Sequence, residues 1–295
     1  MKSALQQRTA LQQVTLSLQG VTPIAIHGAM SDERKKMVSE LRIPSLKGMI
    51  RYWYRASQDG PIDVIREQEV KLFGGALGSQ KQKSMLRLSM SEPETCKKVE
   101  FRPSHSKGFT ISALQVNGWD IHLSAKKTEK GFEEAVATVK FAFAVGGVGQ
   151  RARRGAGSLQ TEVYKDSDAY LTDVRTQLDI LGTPYSREGG LLRATTLVKT
   201  DRPQWRQTIL IEKTYDTAEE ALKKLRLAAH NASEGTLHGA LGKVKGGRYA
   251  SPLHATVKHF KDGYRVIVTE VSQTTRSPHP QFEKAKNRFM ETLMS

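Results

Sequence analysis

The densest group of residues that could do chemistry is a segment rich in glycine and arginine, residues 146–158. It reads Gly146-Gly147-Val148-Gly149-Gln150-Arg151-Ala152-Arg153-Arg154-Gly155-Ala156-Gly157-Ser158. Glycine permits positive φ and close approach of a ligand, exposed N–H groups in such loops bind anions, and a guanidinium can hold a phosphate with two hydrogen bonds. We therefore predict a loop for a phosphodiester backbone, rather than a solvated linker, in which the contacts come from Gly147, Gly149, Arg151, Arg153, Arg154 and Gly155.

A second basic segment lies in a predicted helix that begins near Pro44. It places three cations four residues apart, and therefore along one face: Lys47, Arg51 and Arg55. Aromatic residues 52–54 lie among these cations, and bases of single-stranded nucleic acid stack on such rings. Trp53 falls on the apolar stripe of the helix and fits the core better, so Tyr54 is the stronger stacking candidate.

A third basic segment, residues 242–252, again combines glycines with cations, at Lys243, Lys245 and Arg248. A solvated surface explains such a charge run as well as a binding site does. Known nucleotide motifs are absent. The pair Gly147 and Gly149 lacks the third glycine of the dinucleotide fingerprint, and Gly242-Lys243 lacks the remainder of a P-loop.

Residues for catalysis or metal binding are not evident. The sequence contains no nucleophile elbow, no paired-carboxylate motif and no metal-ligand cluster, and Cys96 is its single cysteine. We predict neither a metal nor a cofactor. His27 is one alternative, since an imidazole there could act as general base toward a ribose 2′-hydroxyl. A single loop histidine is more often structural.

The net charge indicates the class of partner. The 295 residues include 46 Lys and Arg against 30 Asp and Glu, a formal charge of +16, which favours a polyanion. Apolar runs such as 141–145 fall far short of the ~20 residues that span a bilayer, and the first residues do not resemble a signal peptide. We expect a cytoplasmic protein with no membrane partner.

The apolar pattern predicts a mixture of strands and helices. Strands are expected over 14–18, 86–90, 109–116, 121–123, 158–164, 208–212, 254–260 and 264–268. Helices are expected over 44–56, 132–143 and 171–181, from 217 onward, and over 282–293. Each half mixes the two types, and 165–168 is a polar break. The predicted fold is α+β, with one domain over residues 1–166 and a second over 167–295.

Several motifs together resemble the RAMP proteins of CRISPR systems, and among them the first RAMP subunits of type III-B Cmr complexes. The motifs that show this resemblance are Thr22-Pro23-Ile24, the segment Leu41-Arg42-Ile43-Pro44-Ser45-Leu46-Lys47-Gly48-Met49-Ile50-Arg51-Tyr52-Trp53-Tyr54-Arg55, Glu69 with Leu72-Phe73-Gly74-Gly75, the glycine-rich loop, and Arg248 with Ser251-Pro252-Leu253. Residues 165–238 match no motif of this family.

The resemblance implies tandem ferredoxin-like domains and an RNA-binding subunit that does not itself catalyse a reaction. Its partners would be guide RNA, target RNA and other Cmr subunits, above all the backbone subunit, and it would hold the 3′ region of the guide or the end of the target duplex. Arg42, Lys47, Arg51 and Arg55 would then line the same groove as the loop arginines, extended by Lys243, Lys245 and Arg248. Three alternatives remain: a metal-independent repeat endoribonuclease using His27, another non-catalytic type III RAMP subunit, and a scaffold that does not bind RNA.

Overall fold

The computed structural model describes residues 10–28, 39–102, 110–242, 249–273 and 279–295. Within these residues the α-helices are α1 Ile43–Ser57, α2 Ile62–Phe73, α3 Phe132–Val145, α4 Ser167–Ile180, α5 Ala218–Asn231 and α6 Phe282–Met294. The strands are β1 Leu11–Gly20, β2 Gly75–Leu77, β3 Gln80–Gln82, β4 Arg87–Met90, β5 Thr95–Phe101, β6 Ile111–Asn117, β7 Trp119–Lys126, β8 Leu159–Gln160, β9 Tyr185–Glu188, β10 Leu191–Ala194, β11 Gln204–Leu210, β12 Leu253–Phe260 and β13 Gly263–Ser272.

The first half is built on an antiparallel sheet with the strand order β4-β7-β1-β8. Helix α1 connects β1 toward β4, and α3 connects β7 to β8, which gives the βαββαβ arrangement of a ferredoxin-like unit. The hairpins β2-β3 and β5-β6 form separate two-stranded sheets. The α+β class predicted from the sequence is confirmed for this half.

The second half repeats the arrangement with one change. Its sheet has the order β12-β13-β11-β10-β9, with α5 between β11 and β12 and α6 after β13. In a ferredoxin-like unit the fourth strand follows the second helix and pairs with the first strand. Here β10, which precedes β11 in the chain, occupies that position beside β11.

Most predicted elements are present in the structure. The β12-β13 hairpin turns at Gly263, whose φ of 130° requires glycine, and Thr217 caps α5 by accepting a hydrogen bond from the Glu220 N–H at 3.2 Å. The strand predicted over 158–164 is shorter, because after Gln160 the chain leaves β1 and the Tyr164 N–H donates to His259 O. The apolar pattern did not predict α2 or the strands β2, β3, β5, β9 and β10.

A continuous core joins the two halves. The indole of Trp53 on α1 meets the edge of Phe141 on α3 at 5.8 Å between ring centroids, and Phe141 in turn meets Trp205 on β11 at 6.3 Å. All three rings are buried. Helix α4 begins at the predicted boundary, where the Asp166 carboxylate accepts from the Ala169 N–H. The division into 1–166 and 167–295 stays a prediction.

No helix within the described ranges is long and apolar enough to cross a membrane.

Candidate nucleic-acid interface

The glycine- and arginine-rich segment is packed between the two halves of the protein. Several of its backbone N–H groups donate to protein carbonyls: Gln150 to Ala25 O at 2.7 Å, Gly157 to Pro23 O at 2.9 Å and Gly155 to Ala255 O at 2.9 Å. Because the Gly155 N–H already donates to Ala255 O on β12, it is not available to bind a phosphate. This corrects the expectation of an open anion-binding loop at that position.

The glycines of this segment serve close backbone packing. A Cβ on Gly157, whose φ is 64°, would overlap the carbonyl oxygen of Val148, and a Cβ on Gly149 would overlap that of Ala25. A Cβ on Gly147 would lie 2.7 Å from Ala156 O. The segment therefore needs glycine in order to fold, independently of any ligand.

Arg154 is a structural residue, contrary to the phosphate contact expected from the sequence. Its guanidinium donates to Leu241 O at 2.8 Å, to Ser251 Oγ at 3.2 Å and to Leu253 O at 3.3 Å. Burial, followed by the charges of Arg151 and Arg153, lowers the pKa of Arg154 to about 10. The side chain therefore remains a cation at neutral pH, but its donors are directed into the second half.

Of the two neighbouring arginines, one is exposed and the other is half-buried, as Arg154 itself is. Arg151 is exposed and has a left-handed backbone with φ of 61°. The guanidinium of Arg153 donates to Ser251 O and lies over the ring of Tyr52, with Cζ 5.5 Å from the ring centroid. Arg153 therefore connects the loop to α1.

Two of the cations on α1 share one buried carboxylate. Arg51 Nε and Arg55 Nη1 approach the same oxygen of Glu69 on α2 at 2.5 and 2.6 Å, and Glu69 is 3% exposed. The two arginine side chains are each about one third exposed. One negative charge thus faces two positive ones, and both arginines remain partly accessible to solvent. This contact gives the motif residue Glu69 a physical role that was not predicted from the sequence.

The other cations at this end of α1 are less engaged. Lys47 is half-buried, and burial, then the charge of Arg51, lowers its pKa. Arg42, which precedes the helix, pairs with Glu40 at 3.2 Å. Lys243, Lys245 and Arg248 lie outside the described residues.

Tyr54, the expected stacking residue, is fully buried. Its ring packs against Phe73 at 5.5 Å between centroids, and its hydroxyl donates to Glu134 at 3.2 Å. The helical spacing placed Tyr54 beside the cations of α1, but α2 covers the face of α1 that carries Tyr54. This corrects the prediction that Tyr54 stacks on a base.

Tyr52, which was not among the residues predicted from the sequence, is the aromatic residue that joins the basic elements. Its hydroxyl lies 3.0 Å from Nε2 of His254 on β12, and the two rings stack at 5.4 Å. Burial raises the pKa of Tyr52, and the nearby positive charges of Arg153 and Arg55 act against that rise. We define the α1–loop surface as Lys47, Arg51, Arg55, Arg151 and Arg153. No sequence signal pairs Tyr52 with His254, which is 202 positions away.

His27 is held in place by the β6 backbone. Its Nε2 lies 3.1 Å from Ser112 O, so this nitrogen carries the proton that it donates. Among the described residues the buried Nδ1 has no partner. A general base needs an accessible acceptor nitrogen, and neither nitrogen meets that need in this arrangement.

Metal-ligating side chains do not cluster in the part of the chain that the structure describes, where no three His, Cys, Asp or Glu residues are placed to hold an ion. Burial, and then Arg153 and Arg154, lower the pKa of His254 well below its usual value. His254 is thus neutral and serves as a partner for Tyr52.

The sequence of the region from β1 to the glycine- and arginine-rich segment matches a known family. The sequence model of the RAMP superfamily matches residues 17–160. These residues form a RAMP superfamily domain. The RAMP domain includes α1, the E-x-x-L-F-G-G segment around Glu69, and the glycine- and arginine-rich segment, which are the elements that carried the resemblance in the sequence.

Curated relatives of the RAMP domain are subunits of a CRISPR system. CRISPR system Cmr subunit Cmr1-1 of Pyrococcus furiosus is 24% identical over 150 residues, which cover 46% of this chain and 44% of that protein. Cmr subunit Cmr1-2 of the same organism is 26% identical over 193 residues, covering 53% of this chain and 98% of that protein. The chain thus matches less than half the length of Cmr1-1. The resemblance to the first Cmr RAMP subunit is confirmed.

Solved structures show that the likeness in fold extends beyond the RAMP domain. The apo crystal structure of Cmr1 from Pyrococcus furiosus has a TM-score of 0.56 at 18% identity, covering 92% of this chain and 90% of that one. A chain of the type III-B Cmr-beta complex bound to cognate target RNA has a TM-score of 0.57 at 10% identity, covering 97% and 100%. Both halves therefore share the fold of these neighbours.

Proposed function

We propose that this chain is a non-catalytic, RNA-binding RAMP subunit of a type III-B CRISPR effector complex in antiviral defence. It holds the 3′ region of the guide RNA or the end of the guide–target duplex, and its protein partners are other Cmr subunits, above all the backbone subunit. The names of the curated relatives support the assembly, and the structural neighbour bound to cognate target RNA supports the ligand.

The observation that carries RNA binding is the α1–loop surface. Arg153 lies over Tyr52, and Tyr52 lies within the electrostatic reach of Arg55. One cation of α1, Arg55, and one of the loop, Arg153, therefore act on the same ring, and among the described residues the carboxylate that faces Arg51 and Arg55 is that of Glu69. Such a surface binds phosphates without reading bases, so the affinity depends on salt and not on sequence.

The dependence of RNA affinity on salt concentration tests whether the α1–loop surface binds RNA. We would measure the affinity of the chain for single-stranded RNA of guide length by fluorescence anisotropy, with wild type and the double variant Lys47→Gln/Arg151→Gln. Neither side chain forms an ion pair among the described contacts, so both changes remove charge and preserve the fold. Each lost phosphate contact lowers the log–log salt slope by about 0.7, so the double variant should lose about 1.4.

The matched control is Lys261→Gln, which removes one charge from the exposed β12-β13 turn. That turn lies at the other end of β12 from Ser251, the residue that accepts from Arg153. The control should keep the wild-type slope. RNA binding that is absent at low salt, or a slope that the double variant shares with wild type, rejects the proposal and favours a scaffold that does not bind RNA.

The non-catalytic part of the proposal has its own test. The chain is incubated with CRISPR repeat RNA without added metal, and the products are separated on a denaturing gel. Intact RNA is the expected result, because Nε2 of His27 is already engaged with Ser112 O. Cleavage that His27→Ala abolishes would instead establish a metal-independent endoribonuclease.

A further inference from the structure

A short β-hairpin lies at the surface of the RAMP domain, after α2. Its strands β2 and β3 pair with each other, and no third strand joins their sheet within the described ranges. Every residue from 76 to 83 is exposed. Each strand has three residues and therefore extends about 10 Å, at about 3.3 Å per residue. We call residues 75–83 the β2-β3 arm.

The base of the arm is fixed to the end of α2. The Leu86 N–H, which follows the arm, donates to Leu72 O in the last turn of that helix at 3.1 Å. Gly74 has a φ of 76°, and a Cβ there would lie only 2.8 Å from the Ser84 nitrogen. An isolated two-stranded hairpin is at best marginally stable in water. These contacts therefore hold an exposed hairpin in a defined place.

That place adjoins the α1–loop surface. A Cβ on Gly75, the first residue of the arm, would lie 3.6 Å from Nη2 of Arg51 and 3.0 Å from Cγ2 of Val70. Glycine thus allows the strand to pass close to the guanidinium. Arg51 uses its Nε for Glu69, whereas its Nη2 lies beside the arm. The arm therefore begins at a cation that already belongs to the α1–loop surface.

The arm and its flanks carry positive charge without acidic residues. Residues 71–91 contain no Asp or Glu, and their four cations, all of them exposed, are Lys71, Lys81, Lys83 and Arg87. None of the four forms an ion pair with another described residue. The preceding carboxylate, that of Glu69, is buried beneath Arg51 and Arg55. The charge of the arm thus attracts a polyanion.

The side chains of the arm suit phosphates better than bases. Lys81 lies opposite Ala76, whose methyl group leaves space around the ammonium group, and the tip pair of Leu77 and Gln80 belongs to the other face. Residues 74–91 include no aromatic side chain on which a base could stack. Lysine holds a phosphate as a point charge. A contact through the arm therefore follows the backbone of a strand and not its sequence.

We propose that the β2-β3 arm is a second RNA contact, in which Lys81 and Lys83 bind phosphates of a strand that continues from the α1–loop surface past Arg51. The inference rests on the proposed RNA-binding function and adds a path for the strand. Lysines on an exposed hairpin also discourage pairing between edge strands, and an acidic protein would be attracted by the same charge. The position of Gly75 beside Arg51 favours RNA.

The first test compares two lysine pairs on two exposed hairpins. With single-stranded RNA of guide length, Lys81→Gln/Lys83→Gln should lower the log–log salt slope by about 1.4, from two contacts of about 0.7 each. The matched control is Lys97→Gln/Lys98→Gln, which removes two exposed lysines from β5 of the other two-stranded sheet. The control should keep the wild-type slope, and both variants should unfold at the wild-type temperature.

The outcomes separate the arm from the proposed function. If Lys47→Gln/Arg151→Gln lowers the slope but Lys81→Gln/Lys83→Gln does not, the arm proposal is overturned and the proposed function stands. An equal loss of slope in Lys97→Gln/Lys98→Gln also overturns the arm, because any surface lysine would then have the same effect. Absence of RNA binding by wild type rejects the proposed function and the arm with it.

The length of the RNA gives a second readout. The shortest oligouridine that wild type binds should have the same affinity for Lys81→Gln/Lys83→Gln, because it occupies the α1–loop surface alone. As the strand is lengthened, the affinity of wild type should rise above that of the variant. A difference that is equal at every length would mean that the variant acts through net charge, and it would overturn the proposed path.

Discussion

The guanidinium of Arg154, on the RAMP domain, donates through Nη2 to the backbone carbonyl of Leu241 at 2.8 Å, in the second half of the chain. Nη1 of the same side chain donates to Leu253 O and Ser251 Oγ. One arginine thus satisfies carbonyls in two segments of the other half. Arg151 is exposed and Arg153 lies over Tyr52 on α1, so a run of arginines in the sequence contains residues with different roles.

Arg154→Met should lower the stability of the protein, and any effect on RNA binding should follow from that loss of stability. The change leaves buried carbonyls without donors, each worth about 1–3 kcal/mol, so we expect the free energy of unfolding in urea to fall by about 2–4 kcal/mol. Arg151→Met, the exposed control, should change it by no more than about 0.5 kcal/mol. Equal stability of the two variants would contradict the structural role of Arg154.

Gly157→Ala should be far more damaging than Gly182→Ala. The two glycines have nearly the same φ, 64° and 65°, but a Cβ on Gly157 would overlap Val148 O, whereas nothing lies within 4 Å of a Cβ on Gly182. Gly182→Ala therefore reports backbone strain alone, about 1 kcal/mol. We expect thermal unfolding to show a small shift for Gly182→Ala and a loss of the folded state, or a shift several times larger, for Gly157→Ala.

Glu69→Gln should weaken the contact between α1 and α2. Glu69 is buried beneath Arg51 and Arg55, and removing one partner of a buried ion pair costs about 3–5 kcal/mol. Because the two arginines are one third exposed, we expect the lower end of that range in urea unfolding. Glu67→Gln, exposed on the same helix, is the control and should be neutral. A neutral Glu69→Gln would show that the arginines do not depend on this carboxylate.

Lys258 should make stability depend on pH above neutrality. Its Nζ is buried and donates to Phe143 O at 2.5 Å and Leu159 O at 2.6 Å, and burial lowers the pKa to about 7. Between about pH 7 and the unfolded value of 10.5 the unfolded chain binds more protons than the folded one. Stability contributed by this group therefore rises with pH in that window, by at most about 1.4 kcal/mol per unit, and is level below it.

The corresponding experiment is urea unfolding at pH 6, 7, 8 and 9. Lys258→Met should lack this component of the rise that wild type shows above pH 7. Lys261→Met, exposed in the adjacent turn, should rise as wild type does. A rise in Lys258→Met equal to that of wild type would mean that another group titrates.

Several local features could be read from the sequence because their causes are local. Period-2 alternation at β1, the apolar stripe of α1, the Thr217 cap and the glycine of the β12-β13 turn each depend on residues within one element. The strands β9 and β10 could not be predicted in this way. Both are four residues long, and β10 is defined by its pairing with β9 and β11.

The sequence by itself determined the basic character, the RAMP motifs and the alternation of strands and helices, since composition and spacing carry that information directly. Only the tertiary structure decided which groups each cation contacts. Arg154 and Arg153 are adjacent in the chain, yet one donates to carbonyls around Leu241 and the other lies on Tyr52. Partners far away along the chain decide such roles, because burial and hydrogen bonding depend on which segments the fold brings together.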